Sequence, residues 1–435
     1  MPKRDVEGAG LALLNRFAGS KMAAKLGLHK PAEKAIYQAS KTSFKMAGMV
    51  GRQFKAVRGR FSAKRLEQAA GRQLFDLSLS DEQAMIQESV RRFAEDRLRP
   101  AASDAESHQE VSETVWKEGF ELGLGAMAVP EALGGAGGER SPVTNALVAE
   151  ALAWGDMGQA VALLAPIGVA NLLADHGSGA QQERYLASFA ADDPPDAALA
   201  LAEPRAIADP GQPTCRGAKQ DEAWLLTGSK ALVPLGPFAD LLLVSAELEG
   251  LGPRLVLIEG NAAGLSVRSE PAMGLRGASL GRIELEQVRI DEDAILGDAD
   301  TLANAIALAR LAWCAVGVGT AQAVLDYVIP YVNERHAFGE PVSHRQGVAF
   351  EVSRIGIELA GMRLMVWRAA ARAEQGLSFG REAALAHRYC ADRAMQIGSA
   401  GVQLLGGHGY VKEHPVERWY RDLRAVGAME GGLCL

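Results

Sequence analysis

Residues 402–432 read VQLLGGHGYVKEHPVERWYRDLRAVGAMEGG, and the interpretation of the whole chain depends on this stretch. Gln403 opens the segment QLLGG, and Glu430 follows 27 residues later, directly before two glycines. Taken alone, QLLGG is typical of the end of a helix, where glycine adopts a left-handed conformation. A glutamate followed by glycines so near the last residue is typical of a solvated tail. The rest of the chain must therefore show whether Gln403 and Glu430 carry chemistry.

The composition is that of an ordinary globular protein. Of the 435 residues, 48% are hydrophobic and 23% are charged. The four cysteines lie far apart without a CxxC pair, which argues against a disulfide framework and suits a reducing compartment. The eight histidines form no HExxH motif or cluster, so we expect no metal site. We also expect no membrane-spanning segment, because no apolar run reaches about 18 residues.

Charge is divided unevenly along the chain. Residues 1–75 hold 16 of the 46 Lys and Arg residues but only 4 of the 53 Asp and Glu residues. Apolar residues recur among these cations at mostly helical spacing, as in KTSFKMAGMVGRQFKAVRGRF (residues 41–61), which is typical of a helix on an anionic membrane surface. A solvated basic tail and an organelle transit segment stay open as alternatives. Nucleic acid binding is not indicated, because no motif for RNA or DNA accompanies the charge.

The hydrophobic pattern changes twice along the rest of the chain. It is helical from about residue 78 to 195, where Ser80 is placed as an N-cap and Pro100 is predicted to close the first helix. Between residues 196 and 299, six short apolar or alternating runs separated by Gly, Pro and Asp predict an antiparallel sheet. Long helices are predicted again over about 300–333, 345–377 and 380–405.

These patterns predict an α+β fold with an all-α N-terminal domain, a middle antiparallel β-barrel or sandwich, and a C-terminal domain like a four-helix bundle. A nicotinamide-binding fold is not indicated, because no GxGxxG motif follows a predicted strand. The predicted domains are a basic extension (1–75), a helical domain (76–195), a β domain (196–299) and the C-terminal helices (300–435).

Five stretches, in this order, resemble the acyl-CoA dehydrogenase family from Leu79 to Gly432. They are LSDEQAMIQESVRRFAED, GLGAMAVPEALGGAG, MGLRGASLGRIELEQVRI, NERHAFGEPVSHRQGVAF and the C-terminal stretch quoted above. The resemblance implies the three-domain fold of that family, with FAD as the cofactor. It also implies a reaction, the desaturation of a fatty acyl-CoA thioester to the trans-2-enoyl-CoA. In the family, a glutamate removes the α proton while a hydride passes from the β carbon to N5 of FAD.

By the same resemblance Glu430 is the catalytic base, because the family places this glutamate 27 residues after the glutamine of Q-x-x-G-G. The α proton of a thioester is weakly acidic, so we expect the Glu430 carboxylate to be desolvated, which strengthens a carboxylate as a base. Gly431 and Gly432 let backbone and substrate approach closely. The backbone N–H of Glu430 is expected to help hold the thioester oxygen.

The resemblance also assigns a cofactor site and a substrate contact. Arg335 matches the arginine that binds the pyrophosphate of FAD, usually the FAD of a neighbouring subunit. A guanidinium suits a diphosphate because it forms forked, charge-assisted hydrogen bonds. Arg310 matches an arginine near the base and is expected to contact the substrate. The other positions that match cofactor-binding residues are Phe338, Gln346, Gln403, Gly406 and Gly407.

The β domain departs from the family pattern where the flavin ring is expected. AEPRAIAD (residues 202–209) places Ala202 where the family has a threonine, and both glycines of the family motif are missing. KALVP (residues 230–234) places Leu232, Val233 and Pro234 where the family has tryptophan, a β-branched residue and threonine. Side-chain donors to the flavin ring are therefore lost. Each such hydrogen bond contributes about 0.5–1.5 kcal/mol, so we expect weaker binding of FAD.

The leading hypothesis is an FAD-dependent acyl-CoA dehydrogenase that passes electrons to an electron-transfer flavoprotein or a similar acceptor. A non-catalytic acyl-CoA-binding or partner subunit of the same fold is the main alternative, and a different flavin reaction, such as that of an oxidase, stays open. The acyl chain length is not readable from the sequence. The family continues past the base with a threonine and a further helix, so we expect a fragment or a naturally short form.

The resemblance further implies a homo-oligomer, a tetramer built from the C-terminal helices. A thiol-bearing flavoprotein with a basic N-terminus is expected in the bacterial cytoplasm, peripheral to the inner membrane through residues 1–75. The mitochondrial matrix stays open as the alternative compartment.

Overall fold

The computed structural model describes residues 78–136, 140–191, 193–205 and 208–435. The predicted basic extension, residues 1–75, lies outside the described residues. Within the described ranges, helices come first, then a sheet, then helices again. This order confirms the predicted fold class.

Six α-helices form the first part of the described chain. α1 begins where the sequence predicts, because the Ser80 hydroxyl accepts the Gln83 N–H and the Gln83 side chain accepts the Ser80 N–H, both at 3.1 Å. Pro100 does not close the helical run as predicted. A π-helical turn, Ala94–Leu98, leads into α2, and Pro100 lies in the first turn of α2, where its missing N–H costs no hydrogen bond. The helices are α1 (Asp81–Phe93), α2 (Arg99–His108), α3 (Glu113–Glu121), α4 (Pro142–Gly155), α5 (Met157–His176) and α6 (Gly179–Tyr185).

Helix α5 and the later helix α7 (Ala299–Glu334) are apolar on all sides. Both are long and apolar enough to cross a membrane by length and composition alone, so the prediction that no segment reaches that length is wrong. In α5 and α7, 94% and 83% of the most apolar 18-residue window is buried inside the protein. A helix that is hydrophobic all round is typical of a protein core as well as of a membrane span, and burial accounts for the composition here.

Eight strands of the described chain form the middle sheet. They pair in the order β6-β7-β3-β2-β4-β5-β8, and β1 also pairs with β4. Most neighbours are antiparallel, as predicted, but β4 is parallel to both β1 and β2. The sequence pattern missed β2, because RGAKQ has one buried position and that residue is a glycine. The strands are β1 (Ala197–Ala200), β2 (Arg216–Gln220), β3 (Ala223–Val233), β4 (Leu241–Leu248), β5 (Gly252–Glu259), β6 (Leu265–Ser269), β7 (Gly281–Ile290) and β8 (Ile295–Leu296).

Strand β4, inside the sheet, is buried on both faces. Successive side chains of a strand point to opposite sides. In β4, Leu241 and Leu243 belong to the apolar cluster that also contains the helices, whereas Leu242 and Val244 belong to a separate cluster of the sheet. The N-terminal helices, the sheet and the C-terminal helices therefore share one core on one side of the sheet.

A buried ion pair links three segments of the sheet. Lys230 of β3 is fully buried, and its Nζ lies 2.6 Å from Glu203 Oε1 and 2.9 Å from Ser245 Oγ of β4. Glu203 also accepts hydrogen bonds from the N–H and the hydroxyl of Thr214. Burial by itself raises the pKa of Glu203, but the Lys230 charge and these hydrogen bonds outweigh burial and hold that pKa below its ordinary value.

The C-terminal part contains three long helices, whose ends agree with the predicted ends to within three residues. Helix α7 begins after Asp298, whose carboxylate accepts the Thr301 N–H at 3.0 Å. It packs against α4 on one side and against α8 and α9 on others, so it runs through the shared core. The elements after α7 are a hairpin of β9 (His336–Ala337) and β10 (Glu340–Pro341), then α8 (Gln346–Glu374), α9 (Gly380–Leu405), α10 (Val416–Asp422) and α11 (Ala425–Ala428).

Ion pairs fasten α10 to the N-terminal helices. Arg421 Nη2 lies 2.6 Å from Glu106 Oε1 of α2, and Arg418 Nε lies 3.2 Å from Asp156 Oδ2, just before α5. All four side chains are largely buried. These pairs position the segment that leads to Glu430.

The neighbouring carboxyl group of Asp422 is buried and accepts the Leu275 N–H at 2.7 Å. Burial, reinforced by the charge of Asp156, raises the pKa of Asp422 to about 7, although the Leu275 N–H and the cations Arg421 and Arg418 act in the opposite direction. The unfolded value is near 3.9, so the folded state binds this proton more tightly. The stability that this proton contributes is therefore lost as the pH rises from about 4 to 7.

We expect Asp422→Asn, which keeps an acceptor for the backbone N–H but does not ionise, to gain stability relative to the wild type as the pH rises. The gain is at most about 1.4 kcal/mol per pH unit between pH 5 and 7. Urea unfolding of both proteins at a series of pH values measures it. Asp291→Asn, at an exposed acid, is the control and should show no such trend. A stability difference that stays constant from pH 5 to 8 would contradict the raised pKa of Asp422.

Candidate active site

Glu430 lies just after α11 and meets Arg310 of α7. Arg310 donates from Nε and Nη2 to one carboxylate oxygen, Glu430 Oε1, at 3.2 and 3.0 Å. The two residues are 120 positions apart in the chain, so only the fold brings them together. Within the described part of the chain, no hydrogen bond reaches the other oxygen, Oε2. The carboxylate is thus held at one oxygen and available at the other.

The surroundings of Glu430 differ from the expected ones. Its side chain is 26% exposed and that of Arg310 is 28% exposed, so this chain by itself desolvates the carboxylate only in part. A cation accompanies the carboxylate instead. Burial lowers the pKa of nearby His387, although its hydrogen bond to the Val426 carbonyl oxygen and the charge of Glu430 act in the opposite direction. His387 is therefore favoured in its neutral form beside the Arg310–Glu430 pair.

Gly431 and Gly432 place the segment after Glu430 against the sheet. Their φ angles are 89° and 77°, in the left-handed region that favours glycine. A Cβ on Gly431 would lie 2.6 Å from Leu201 Cβ, and one on Gly432 would lie 2.5 Å from Pro234 Cδ. Both the backbone conformation and the close approach therefore require glycine here.

Two hydrogen bonds fix the same backbone from opposite sides. The buried indole N–H of Trp313 in α7 donates to the Gly431 carbonyl oxygen at 2.8 Å. The Gly432 N–H donates to the Leu199 carbonyl oxygen of β1 at 2.8 Å. Glu430 is therefore positioned between the C-terminal helices and the sheet, although it lies outside regular secondary structure.

The sheet side of this region has the apolar character that the sequence indicates. Ala202, Leu232 and Pro234 have no side-chain donor. The Leu232 N–H donates to Glu270 Oε2 at 2.7 Å, and the Ala202 carbonyl oxygen accepts the Ala231 N–H at 3.0 Å. Pro234 packs against Gly432. This surface offers packing and backbone groups to a bound ring, but no side-chain hydrogen bond.

A second site lies at the other end of α7. It is an open cleft of about 710 Å³. Arg335 is the first residue after α7, and Gly406 ends α9 with a φ of 59°. The cleft brings together four of the predicted cofactor residues, and it adds others from the same elements. Its polar and glycine lining includes Tyr331, Arg335, Arg345, Gln403, Gly406, Gly407 and His408.

Sequence reasoning missed three of these lining residues. Arg345 pairs with Glu340 at 3.0 Å and presents a second guanidinium to the cleft. The Tyr331 hydroxyl lies 2.7 Å from His408 Nδ1. Arg345 directly precedes Gln346 in a family-like stretch, and His408 directly follows Gly407. Their position next to predicted cofactor residues could therefore have indicated that they line the site. Nothing in the sequence distinguishes Tyr331, because it continues the helical spacing of apolar residues in α7.

Two predicted cofactor residues do not line the cleft. Phe338 lies at the tip of the β9–β10 hairpin with a φ of 55° and is 96% exposed. The Arg345 guanidinium lies 5.8 Å from the centre of its ring. Gln346 is the first residue of α8 and is exposed. Phe338 and Gln346 therefore do not contribute to the lining of this cleft, although both lie next to residues that do.

The cleft fits the phosphate-bearing half of a dinucleotide. Arg335 and Arg345 supply two guanidinium groups, which suit a diphosphate. A Cβ built on Gly406 or Gly407 would meet nothing within 4 Å, so the backbone there is open to a ligand. The residues of the cleft thus match FAD better than the residues on the sheet side do.

Family models match most of the chain. "Acyl-CoA dehydrogenase, N-terminal domain" matches residues 80–193, the middle domain of that family matches 198–288, and its C-terminal domain matches 300–432. A mitochondrial short-chain specific acyl-CoA dehydrogenase from Bos taurus is 30% identical over 365 residues, which covers 82% of this chain and 88% of the relative.

Solved structures also resemble this chain over most of its length. Butyryl-CoA dehydrogenase from Megasphaera elsdenii is similar with a TM-score of 0.75 and 26% identity, over 81% of this chain and 95% of the other. A structure described as the FAD complex of PigA is similar with a TM-score of 0.75 and 25% identity, over 82% and 95% of the two chains.

Proposed function

This chain belongs to the acyl-CoA dehydrogenase family of oxidoreductases, and from that premise we propose that it desaturates an acyl-CoA thioester between the α and β carbons. The product is the trans-2-enoyl-CoA, and Glu430 is the base. One observation carries the proposal. Arg310 and the two glycines hold the Glu430 carboxylate in place, and Oε2 is free of partners among the described residues.

In the proposed reaction, Glu430 Oε2 removes the α proton of the thioester. Arg310 retains Oε1, so the carboxylate can present only its other oxygen to the substrate. Negative charge then develops on the thioester oxygen. The backbone N–H of Glu430 has no acceptor among the described residues, and we propose that it binds this oxygen.

We propose that Arg335, Gln403, Gly406 and Gly407 hold the adenosine diphosphate half of FAD. The cleft that these residues share and the similarity to a structure with FAD support this assignment. When bound, FAD supplies the acceptor for the hydride that leaves the β carbon. Phe338 and Gln346 do not line this cleft, and they stay predicted cofactor contacts.

We expect Ala202→Thr to tighten the binding of FAD. Threonine restores a hydroxyl where the family has one, and a hydrogen bond contributes about 0.5–1.5 kcal/mol, which corresponds to a Kd lower by about 2-fold to 13-fold. Titration of FAD with each protein, followed by FAD fluorescence, measures the Kd. Ala202→Val is the matched control, because valine has the shape of threonine without its hydroxyl. Equal affinities for the two variants would show that the flavin ring does not reach this position.

A non-catalytic acyl-CoA-binding or partner subunit is the second candidate function. The packing of Pro234 on Gly432 favours it, because Pro234 stands where the resemblance implies a threonine beside the flavin. The absence of side-chain donors at Ala202 and Leu232 points in the same direction. This candidate predicts a protein that binds thioesters without redox chemistry.

The visible absorption spectrum of the purified protein separates the two candidates. We would record it anaerobically, before and after addition of acyl-CoA thioesters of several chain lengths. Flavin bands that bleach with one range of chain lengths are expected for the dehydrogenase. A colourless protein that also fails to bind added FAD would overturn the proposal in favour of the non-catalytic subunit.

The proposed partners follow from the family. We propose an electron-transfer flavoprotein or a similar acceptor as the partner that would receive the electrons, and a homo-oligomer as the assembly, with a tetramer as the typical state of the family. We propose the bacterial cytoplasm as the compartment, with the mitochondrial matrix as the alternative. Peripheral membrane contact through residues 1–75 stays a prediction.

A further inference from the structure

Two tyrosine–histidine pairs form an aromatic cluster beside the phosphate cleft. Tyr327 and Tyr331 lie one turn apart on α7, and their hydroxyls lie 2.7 Å from Nδ1 of His414 and of His408, respectively. The two imidazole rings stack, with 5.2 Å between their centres and 13° between their planes. Tyr327 packs edge-on against the buried Trp419, whereas Tyr331 and His408 line the cleft. The cluster therefore runs from the protein interior to the cleft.

The hydrogen bonds of Tyr331 determine which nitrogen of His408 can change its charge. The Tyr331 hydroxyl donates to the Leu405 carbonyl oxygen at 3.3 Å, so its own oxygen can accept from His408 Nδ1. In this arrangement Nδ1 carries a hydrogen, and Nε2 is the nitrogen that gains or loses a proton. Among the described residues, Nε2 has no hydrogen-bond partner. It is therefore available to a ligand in the cleft.

The backbone holds His408 at the edge of the cleft. His408 is exposed and lies in the turn Gly406–Tyr410, which follows α9. Gly409 packs so closely on α9 that a Cβ there would overlap the Val402 carbonyl oxygen. The turn is therefore fixed against the helix, and the His408 ring is held by this turn, by Tyr331 and by the stacked imidazole.

Charged groups from several elements surround His408. Glu351 of α8 lines the cleft but is paired with Arg354, and Glu340 is paired with Arg345. Among the described residues, no carboxylate pairs with His408. An anion in the cleft favours the charged form of a neighbouring imidazole. The groups around His408 are Tyr331 and Arg335 at the end of α7, Arg345 and Glu351 at the start of α8, and the stacked His414.

We propose that His408 takes up a proton when the diphosphate of FAD binds in the cleft, and that its Nε2 then donates to a phosphate oxygen. A phosphate oxygen only accepts hydrogen bonds, and so does an unprotonated Nε2, so the two bind each other only after Nε2 is protonated. His408 is then a cofactor-binding residue, and Tyr331 is a positioning residue that orients the ring. FAD binding is linked to pH and is tighter at lower pH. The inference rests on the proposed function, because it concerns the FAD site of that function.

Isothermal titration calorimetry of FAD with the full chain, freed of flavin, tests the proton uptake. Titrations at pH 7.5 in two buffers with different heats of ionisation give the number of protons taken up. FAD suits the test, because its esterified diphosphate keeps the same charge across this range. Histidine changes its charge between about pH 5 and 8, so we expect an uptake of about 0.3 to 1 proton. By linkage, the Kd of FAD should rise about fivefold or more from pH 6 to pH 8.

Two variants of His408 separate its charge from its shape. His408→Asn keeps a partner for the Tyr331 hydroxyl but does not ionise, so proton uptake should be close to zero and the Kd should not depend on pH. His408→Lys stays charged across the range, so its uptake should also be close to zero, with a Kd at pH 8 below that of the wild type. His414→Asn and His108→Asn, at the stacked and at a distant histidine, are the controls and should keep the wild-type uptake.

A wild-type Kd that does not change with pH, or proton uptake that His408→Asn retains, would overturn the proposal. Uptake that disappears in His414→Asn but not in His408→Asn would overturn it as well. FAD binding requires no turnover, so proton uptake without dehydrogenation refutes only the proposed function. Dehydrogenation by a protein whose FAD binding takes up no proton refutes only this inference, and a chain that binds no FAD overturns both.

Discussion

We expect Glu430→Gln to lower kcat for acyl-CoA dehydrogenation by about 10³-fold or more. Glutamine keeps an oxygen that can accept from Arg310, but it cannot take the α proton. General base catalysis contributes typically about 10² to 10⁴-fold, and the thioester α proton is weakly acidic, so the loss should lie toward the upper end of that range. Steady-state rates with an artificial electron acceptor measure the change.

The variant should fold and bind as the wild type does. Its melting temperature and its Kd for acyl-CoA should change little, because the contact with Arg310 and the backbone positions of Gly431 and Gly432 are retained. Glu413→Gln, at an exposed acid in the same C-terminal stretch, is the matched control and should keep full activity. Activity of Glu430→Gln within tenfold of the wild type would contradict the assignment of Glu430 as the base.

The largest effect on stability is expected for Lys230→Met. The change leaves Glu203 buried in the sheet with the hydrogen bonds from Thr214 but without its cation. Removal of one partner of a buried ion pair typically costs about 3–5 kcal/mol, because an uncompensated charge stays in the interior. Chemical unfolding monitored by circular dichroism measures the loss of free energy.

A double variant shows whether the unpaired charge is the cause. Lys230→Met combined with Glu203→Met removes both charges, and we expect it to be more stable than Lys230→Met alone. Recovery is incomplete, because Thr214 loses its acceptor. Lys117→Met, which breaks the exposed pair with Glu113, is the surface control and should cost less than about 1 kcal/mol. Equal losses for Lys230→Met and for the double variant would indicate a packing effect instead.

Local patterns were enough to predict most elements of the fold. The six predicted strands are present, because alternating or wholly apolar runs specify strands that are buried on one or both faces. The strand β2 was not predictable, because its burial depends on Gly217, which fits against Leu248 only once β4 is in place. Pro100 was misread because a proline can begin a helix as readily as it ends one.

The candidate site was predictable only through resemblance. Spacing identified Gln403 and Glu430, but nothing local places Arg310 against Glu430, since the contact spans 120 residues. The ion pair of Lys230 with Glu203 spans 27 residues and gives no periodic signal. The burial of Leu433–Leu435 was also not predicted, because three residues are too few to show a period.

The length of helix α7 sets the distance between the two sites, the Arg310–Glu430 pair and the cleft at Arg335. Arg310 lies about a third of the way along this helix and Arg335 follows its last residue. The 25 residues between them, at about 1.5 Å each, separate them by about 38 Å along the axis. One dinucleotide cannot stretch from this chain's phosphate cleft to this chain's base. We therefore expect a lone subunit to hold two half-sites that cannot serve each other. Mixed oligomers of a Glu430→Gln chain and an Arg335→Ala chain should then recover activity by complementation, although each variant alone is inactive.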